Sequence, residues 1–286
     1  MRIPLLTVTF FERILAFLDA RMHTPPLYGW FHLLWIFIVL VFCVLAVKFG
    51  KRFTAKGRNI VLGVTSALLI LLEGYKQLNF SYTVATDTWA YLWYAFPFQF
   101  CSTPMYVMLL SVFLQRGKLR ESLYAYLATY ALFAGLVVMA YPGDVFISTI
   151  GVNIQTMVHH GAMVVIGVFL YANGAVRREH KTILRALPVF LVLSALALTG
   201  NILFHYASGG AESFNMFFIS PFEVPTLVVF DKLFSYLPYP FYLITYVFGF
   251  TLAAYLTLLV AIIFTKKGEY KYENDCNRNR RVQRYR

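Results

Sequence analysis

The chain has 286 residues, of which 59% are hydrophobic and only 13% charged, and its mean hydropathy is +0.65. Soluble domains carry roughly a quarter charged residues, so this composition excludes one and indicates an integral membrane protein. The net charge of +12 does not signal a nucleic-acid partner, because the basic residues flank apolar runs instead of sharing one open surface.

Residues 1–29 place Glu12, Arg13, Asp19 and Arg21 around Ile14, Leu15, Phe17 and Leu18. They lack the apolar core and cleavage pattern of a signal peptide, and read as a short amphipathic helix at the membrane interface. Runs of the roughly 20 apolar residues that cross about 30 Å of hydrocarbon then occur seven times, near 30–47, 60–80, 92–114, 123–140, 150–172, 183–207 and 241–265. Strand-like alternation is absent, so the runs read as helices. The expected fold is all-α, a seven-helix transmembrane bundle over 30–265 with a basic tail over 266–286.

Lys and Arg are retained on the cytoplasmic side of a membrane. The segments after runs one, three and five hold Lys48, Lys51, Arg52, Lys56, Arg58, then Arg116, Lys118, Arg120, then Arg177, Arg178, Lys181, Arg185, and the tail adds eight more. The alternate segments hold only Lys232, beside Asp87, Asp144, Glu212, Glu223 and Asp231. This partition predicts the N-terminus outside and the C-terminus in the cytoplasm.

Polar residues inside apolar runs are costly and mark functional candidates. His32 lies 16 positions from Lys48, Glu73 lies 15 from Arg58, Cys101 15 from Arg116, His160 17 from Arg177 and Asn201 16 from Arg185. At helical rise these residues, with His159, share one layer about 22–27 Å from the inner boundary. Separate packing roles are the competing explanation: imidazole to a carbonyl, Asn between helices, Cys as a small hydrophobe.

Cys101 lies between Pro97 and Pro104, each of which removes a backbone donor and disfavours helix just before it. A thiol beside a broken helix and near imidazoles is a candidate nucleophile. Adjacent helical residues diverge by about 100°, so only one of His159 and His160 can face it as a base. That divergence also argues against a metal site. Glu73, Lys76 and Gln77 share a helix face, as an ion pair or as support for the site. Cys43 reads as an inert thiol, Cys43, Cys101 and Cys276 are too scattered for a disulfide framework, and no cofactor is implied.

The set Phe31-His32, Phe96-Pro97-Phe98-Gln99-Phe100-Cys101-Ser102 and His159-His160-Gly161 resembles the YwaF-like seven-helix membrane family. So do Ser220-Pro221-Phe222-Glu223-Val224-Pro225, Asp231-Lys232-Leu233 and Pro238-Tyr239-Pro240-Phe241-Tyr242. The resemblance spans about residues 30–265. Most of its bacterial members are uncharacterised, and the vertebrate relatives resemble phospholipid acyltransferases that use a membrane Cys with a His. It implies Cys101 as nucleophile, His159 or His160 as base, Gln99 in the supporting layer, membrane phospholipids as partners and a bacterial plasma membrane as the location. The chain departs from the pattern where a His is usual at Gln99 and an Asn-Tyr-Met triplet at Phe214-Asn215-Met216.

The leading expectation is therefore a thiol-dependent phospholipid acyltransferase or hydrolase. The depth of Cys101 favours an outer-leaflet lipid over a cytoplasmic thioester as acyl donor. The alternative is a proton-coupled transporter or channel in which His32, Glu73 and the His pair relay protons. A receptor or retinal protein is disfavoured, because run three ends Leu114-Gln115-Arg116-Gly117, run seven lacks Asn-Pro, and Lys76 is the only intramembrane Lys.

Overall fold

A computed structural model describes residues 9–114, 117–143 and 145–284, with the backbone alone for 10–11 and 265–284. Arg116, Asp144 and the side chains of the basic tail, Cys276 included, lie outside what is described. The chain is almost wholly helical. Helix α1 (Phe10–Leu18) begins at a capping box, in which Thr9 and Glu12 satisfy each other's free backbone N–H groups. It buries Leu15 and exposes Phe17, as an amphipathic segment would.

Six helical segments are long and apolar enough to cross a membrane among the described residues: Trp30–Arg52, Ala55–Ser81, Lys118–Ala140, Ile150–Ala172, Lys181–Ser208 and Tyr239–Phe264. They correspond to helix α2 (Trp30–Phe49) with a short turn, α3 (Ala55–Ser81), α5 (Lys118–Tyr126) joined to α6 (Leu132–Ala140), α7 (Ile150–Ala172), α8 (Lys181–Ser208) and the first part of α10 (Tyr239–Arg284). The third expected run does not form a continuous helix. It gives a turn at Trp93–Ala95, irregular backbone, and then α4 (Thr103–Phe113). Pro104 occupies the first turn of α4, where its missing N–H costs nothing, and Pro97 keeps the preceding residues out of helix. Eleven helical residues cover only about 16 Å, about half of the hydrocarbon core.

The centre of the bundle is α5, α6 and α7. In Lys118–Ala140 and Ile150–Ala172, 72% of the apolar window is buried, against 17–28% in the other long helices, whose outer faces carry residues such as Phe37, Val64 and Phe248. Small residues bring α6 and α2 close to α7. A Cβ on Gly135 would stand 2.7 Å from the His160 carbonyl oxygen, and one on Gly161 2.5 Å from Val39 Cγ2. In lipid, where apolar side chains gain little by avoiding tails, such close approach is a main source of helix association. A π-helical turn (Leu127–Ala131) joins α5 to α6 and is wholly buried.

Between α8 and α9 (Phe230–Tyr236), the chain folds back into the bundle. Phe214, Met216, Phe217, Ile219 and Ser220 are all buried. Phe217 and Phe218 both adopt φ 59°, a left-handed conformation that is costly for aromatic residues and persists only where surroundings hold it. Here Tyr242 and Tyr239 donate their hydroxyls to the Phe218 and Ile219 carbonyls at 2.7 and 2.6 Å.

Candidate active site

Cys101 precedes Ser102, the residue that leads into α4; it is a part-buried residue with a free thiol. The irregular backbone before α4 leaves carbonyls without helical donors, and side chains of other helices supply them. Gln77 on α3 donates to the Ala95 carbonyl at 2.7 Å. His159 on α7 donates its Nε2–H to the Cys101 carbonyl at 2.9 Å. This is how non-helical backbone persists at membrane depth.

The bond to Cys101 fixes the His159 tautomer, because a carbonyl can only accept. Its Nδ1 therefore carries a lone pair, and that atom is buried without a partner. His160 turns away: its Nδ1–H donates to the Thr156 carbonyl of the preceding turn at 2.8 Å. The two rings stand 5.6 Å apart, tilted by 53°. Of the adjacent pair, His159 is thus the one turned to the Cys101 segment.

A charged network flanks these rings. Glu73, 3% exposed, pairs with Lys76 at 2.7 Å and accepts from Gln77 at 2.8 Å and from Gln155 at 3.2 Å. Lys76 is close enough for its charge to act on Cys101, His159 and His160. Tyr126 and Tyr246 also lie within electrostatic reach of Cys101. The Tyr126 hydroxyl meets Thr103 Oγ1 at 3.1 Å, whereas that of Tyr246 is buried without a partner. No group of three His, Cys, Asp or Glu side chains could hold a metal ion among the described residues.

The model of the TMEM164 family matches residues 27–263, from just before α2 through the apolar part of α10. The chain belongs to the TMEM164 family. No curated protein and no solved structure matches it. Family membership and six apolar helices make the protein a multi-pass membrane protein.

Within this TMEM164-family bundle, the remaining residues of the expected layer serve the backbone. His32 is fully buried and uses both nitrogens, donating from Nε2 to the Met139 carbonyl at 2.9 Å and accepting the Tyr28 N–H at Nδ1 at 3.1 Å. Asn201 grips Met216 twice, accepting its N–H at 2.8 Å and donating to its carbonyl at 3.0 Å. Gln99 accepts the Phe217 N–H at 3.1 Å and donates to the Asn215 carbonyl at 3.3 Å. Asn201 and Gln99 together hold the inward loop against the proline break, with the Phe217 ring 5.6 Å from that of Phe100. The sequence reading missed Gln155, Tyr126 and Tyr246. Gln155 was findable, since it stands four residues before His159 on one helical face; the two tyrosines are unmarked among 20.

Proposed function

We propose that the protein is a membrane phospholipid acyltransferase or hydrolase with Cys101 as nucleophile and His159 as its base. One observation carries this reading: a buried imidazole oriented by the Cys101 carbonyl keeps its other nitrogen unpartnered. An imidazole oriented at one nitrogen, with a lone pair left at the other, is the form a general base needs to activate a nucleophile.

In this scheme His159 Nδ1 takes the thiol proton, and the sulfur attacks the carbonyl carbon of a phospholipid ester. Tyr246, with its free hydroxyl, donates to the oxyanion. Collapse breaks the acyl C–O bond, the imidazolium returns the proton to the departing lysolipid oxygen, and a thioester remains on Cys101. An acceptor hydroxyl, or water in hydrolysis, then attacks the thioester and restores the thiol. The Nε2–H stays on the Cys101 carbonyl throughout. Glu73 and Lys76 support the site as a neutral pair. The YwaF-like resemblance supports the same chemistry.

In membrane terms, the irregular 92–102 stretch and α4 together form the seventh crossing, with the N-terminus outside in a bacterial plasma membrane. The acyl donor is then an outer-leaflet lipid. A proton relay finds less support, because both His32 nitrogens are committed to main-chain atoms. Purified protein given acyl-labelled phospholipid should transfer label to an acceptor lipid or water. Cys101→Ala should abolish that transfer, and full activity in this variant would end the thiol mechanism.

A further inference from the structure

A second site lies at the opposite end of the bundle, where the basic segments meet. Lys56, Asn59, Ile60, Gly63 and Val64 form a stripe along α3, spaced at three and four residues. With Ala55 and with Val112 of α4, they line a groove of about 610 Å³. Its Lys56–Asn59 end is polar, and its Ile60–Val64 end, deeper along the helix, is apolar.

Behind the polar end stand two guanidiniums. Arg120 is 8% exposed; it donates to Asn59 Oδ1 and, at 2.8 Å, to the Tyr124 hydroxyl. Arg58 donates to Asn173 Oδ1 at 2.8 Å and to the same Tyr124 hydroxyl at 3.4 Å. Both guanidiniums lie 5.2 Å from the centre of the Tyr124 ring. Among the described residues no carboxylate comes within ion-pair distance of either arginine or of Lys56. Burying guanidinium charge without an anion is costly, and guanidinium donors fit phosphate oxygens well.

We infer that this groove binds one anionic phospholipid, its phosphate at Lys56 and at the Asn59 amide that Arg120 backs, and an acyl chain along Ile60, Gly63 and Val64. The basic groups without a carboxylate partner among the described residues, the mixed polarity and the course along α3 all fit such a lipid, whereas a free phosphate would leave the apolar half of the groove unused.

The test is thermal unfolding of the full chain in phosphatidylcholine bilayers with and without phosphatidylglycerol. The tail also attracts anionic lipid, so two groove variants carry the decision. Lys56→Gln removes an exposed charge and should weaken the phosphatidylglycerol response about fivefold. Gly63→Leu fills the groove; a Cβ there meets Val112 Cγ2 at an ordinary 3.8 Å, so the variant should fold in phosphatidylcholine and lose the response. Equal responses from both variants and the parent chain, or no response to phosphatidylglycerol, would overturn the assignment. An equal shift from inorganic phosphate alone would also overturn it, by showing an anion site without a lipid. If Gly63→Leu does not fold, Lys56→Gln still decides.

Discussion

At His159 the two ring nitrogens do separate work, and a single substitution can divide them. Gln can place its amide near the position of Nε2 and keep a donor on the Cys101 carbonyl, but it has no basic nitrogen. His159→Gln should therefore leave abundance near normal while activity falls by about 10²- to 10⁴-fold, the range of general-base contributions. Activity within tenfold of the parent chain would show that His159 only caps a freed carbonyl. The opposite behaviour is expected at His32. Replacing it by Ala strips partners from the Tyr28 N–H and from the carbonyl of buried Met139, and the unsatisfied carbonyl costs about 1–3 kcal/mol. Abundance should drop while activity per folded molecule holds; a drop confined to specific activity would instead put His32 in the chemistry.

Among the elements, the third apolar run and the inward loop depend on each other. Hydropathy marks 92–114 as a span, and the two prolines visible in the sequence mark it as broken. How far the break reaches is not written within that window, because the donors to its freed carbonyls come from Gln77 and His159 outside it, and the 213–223 segment bonds back to it through Gln99. Loop residues such as Phe217 carry no local sign of entering the bundle; Asn201, fifteen residues away, is what draws Met216 in. The other long helices lie close to their apolar runs, because a run of that length has no other way to satisfy its backbone in lipid. Asn201→Ala should cost about 1–3 kcal/mol through the unsatisfied Met216 groups and open 213–223 to limited proteolysis before the rest of the chain unfolds. Cleavage unchanged from the parent chain would remove the clamp from the account.

Across the whole molecule, the basic segments converge at one end, where Arg58, Arg120 and Asn173 bond across α3, α5 and α7, while Cys101, His159 and the inward loop lie toward the other. The charge partition made this polarity legible from sequence. The gathering of Cys101 with His159 was legible only as a shared depth, since which His turns inward follows from the packing of α6 on α7 at Gly135. In the proposed reaction Cys101 carries the acyl group. Intact-mass measurement of the protein, quenched in acid after brief exposure to phospholipid in vesicles, tests it most directly. A mass increase of one acyl group is expected, removed by hydroxylamine and absent in Cys101→Ser. Acyl transfer that proceeds with no adduct in the parent chain and undiminished in Cys101→Ser would contradict that reaction.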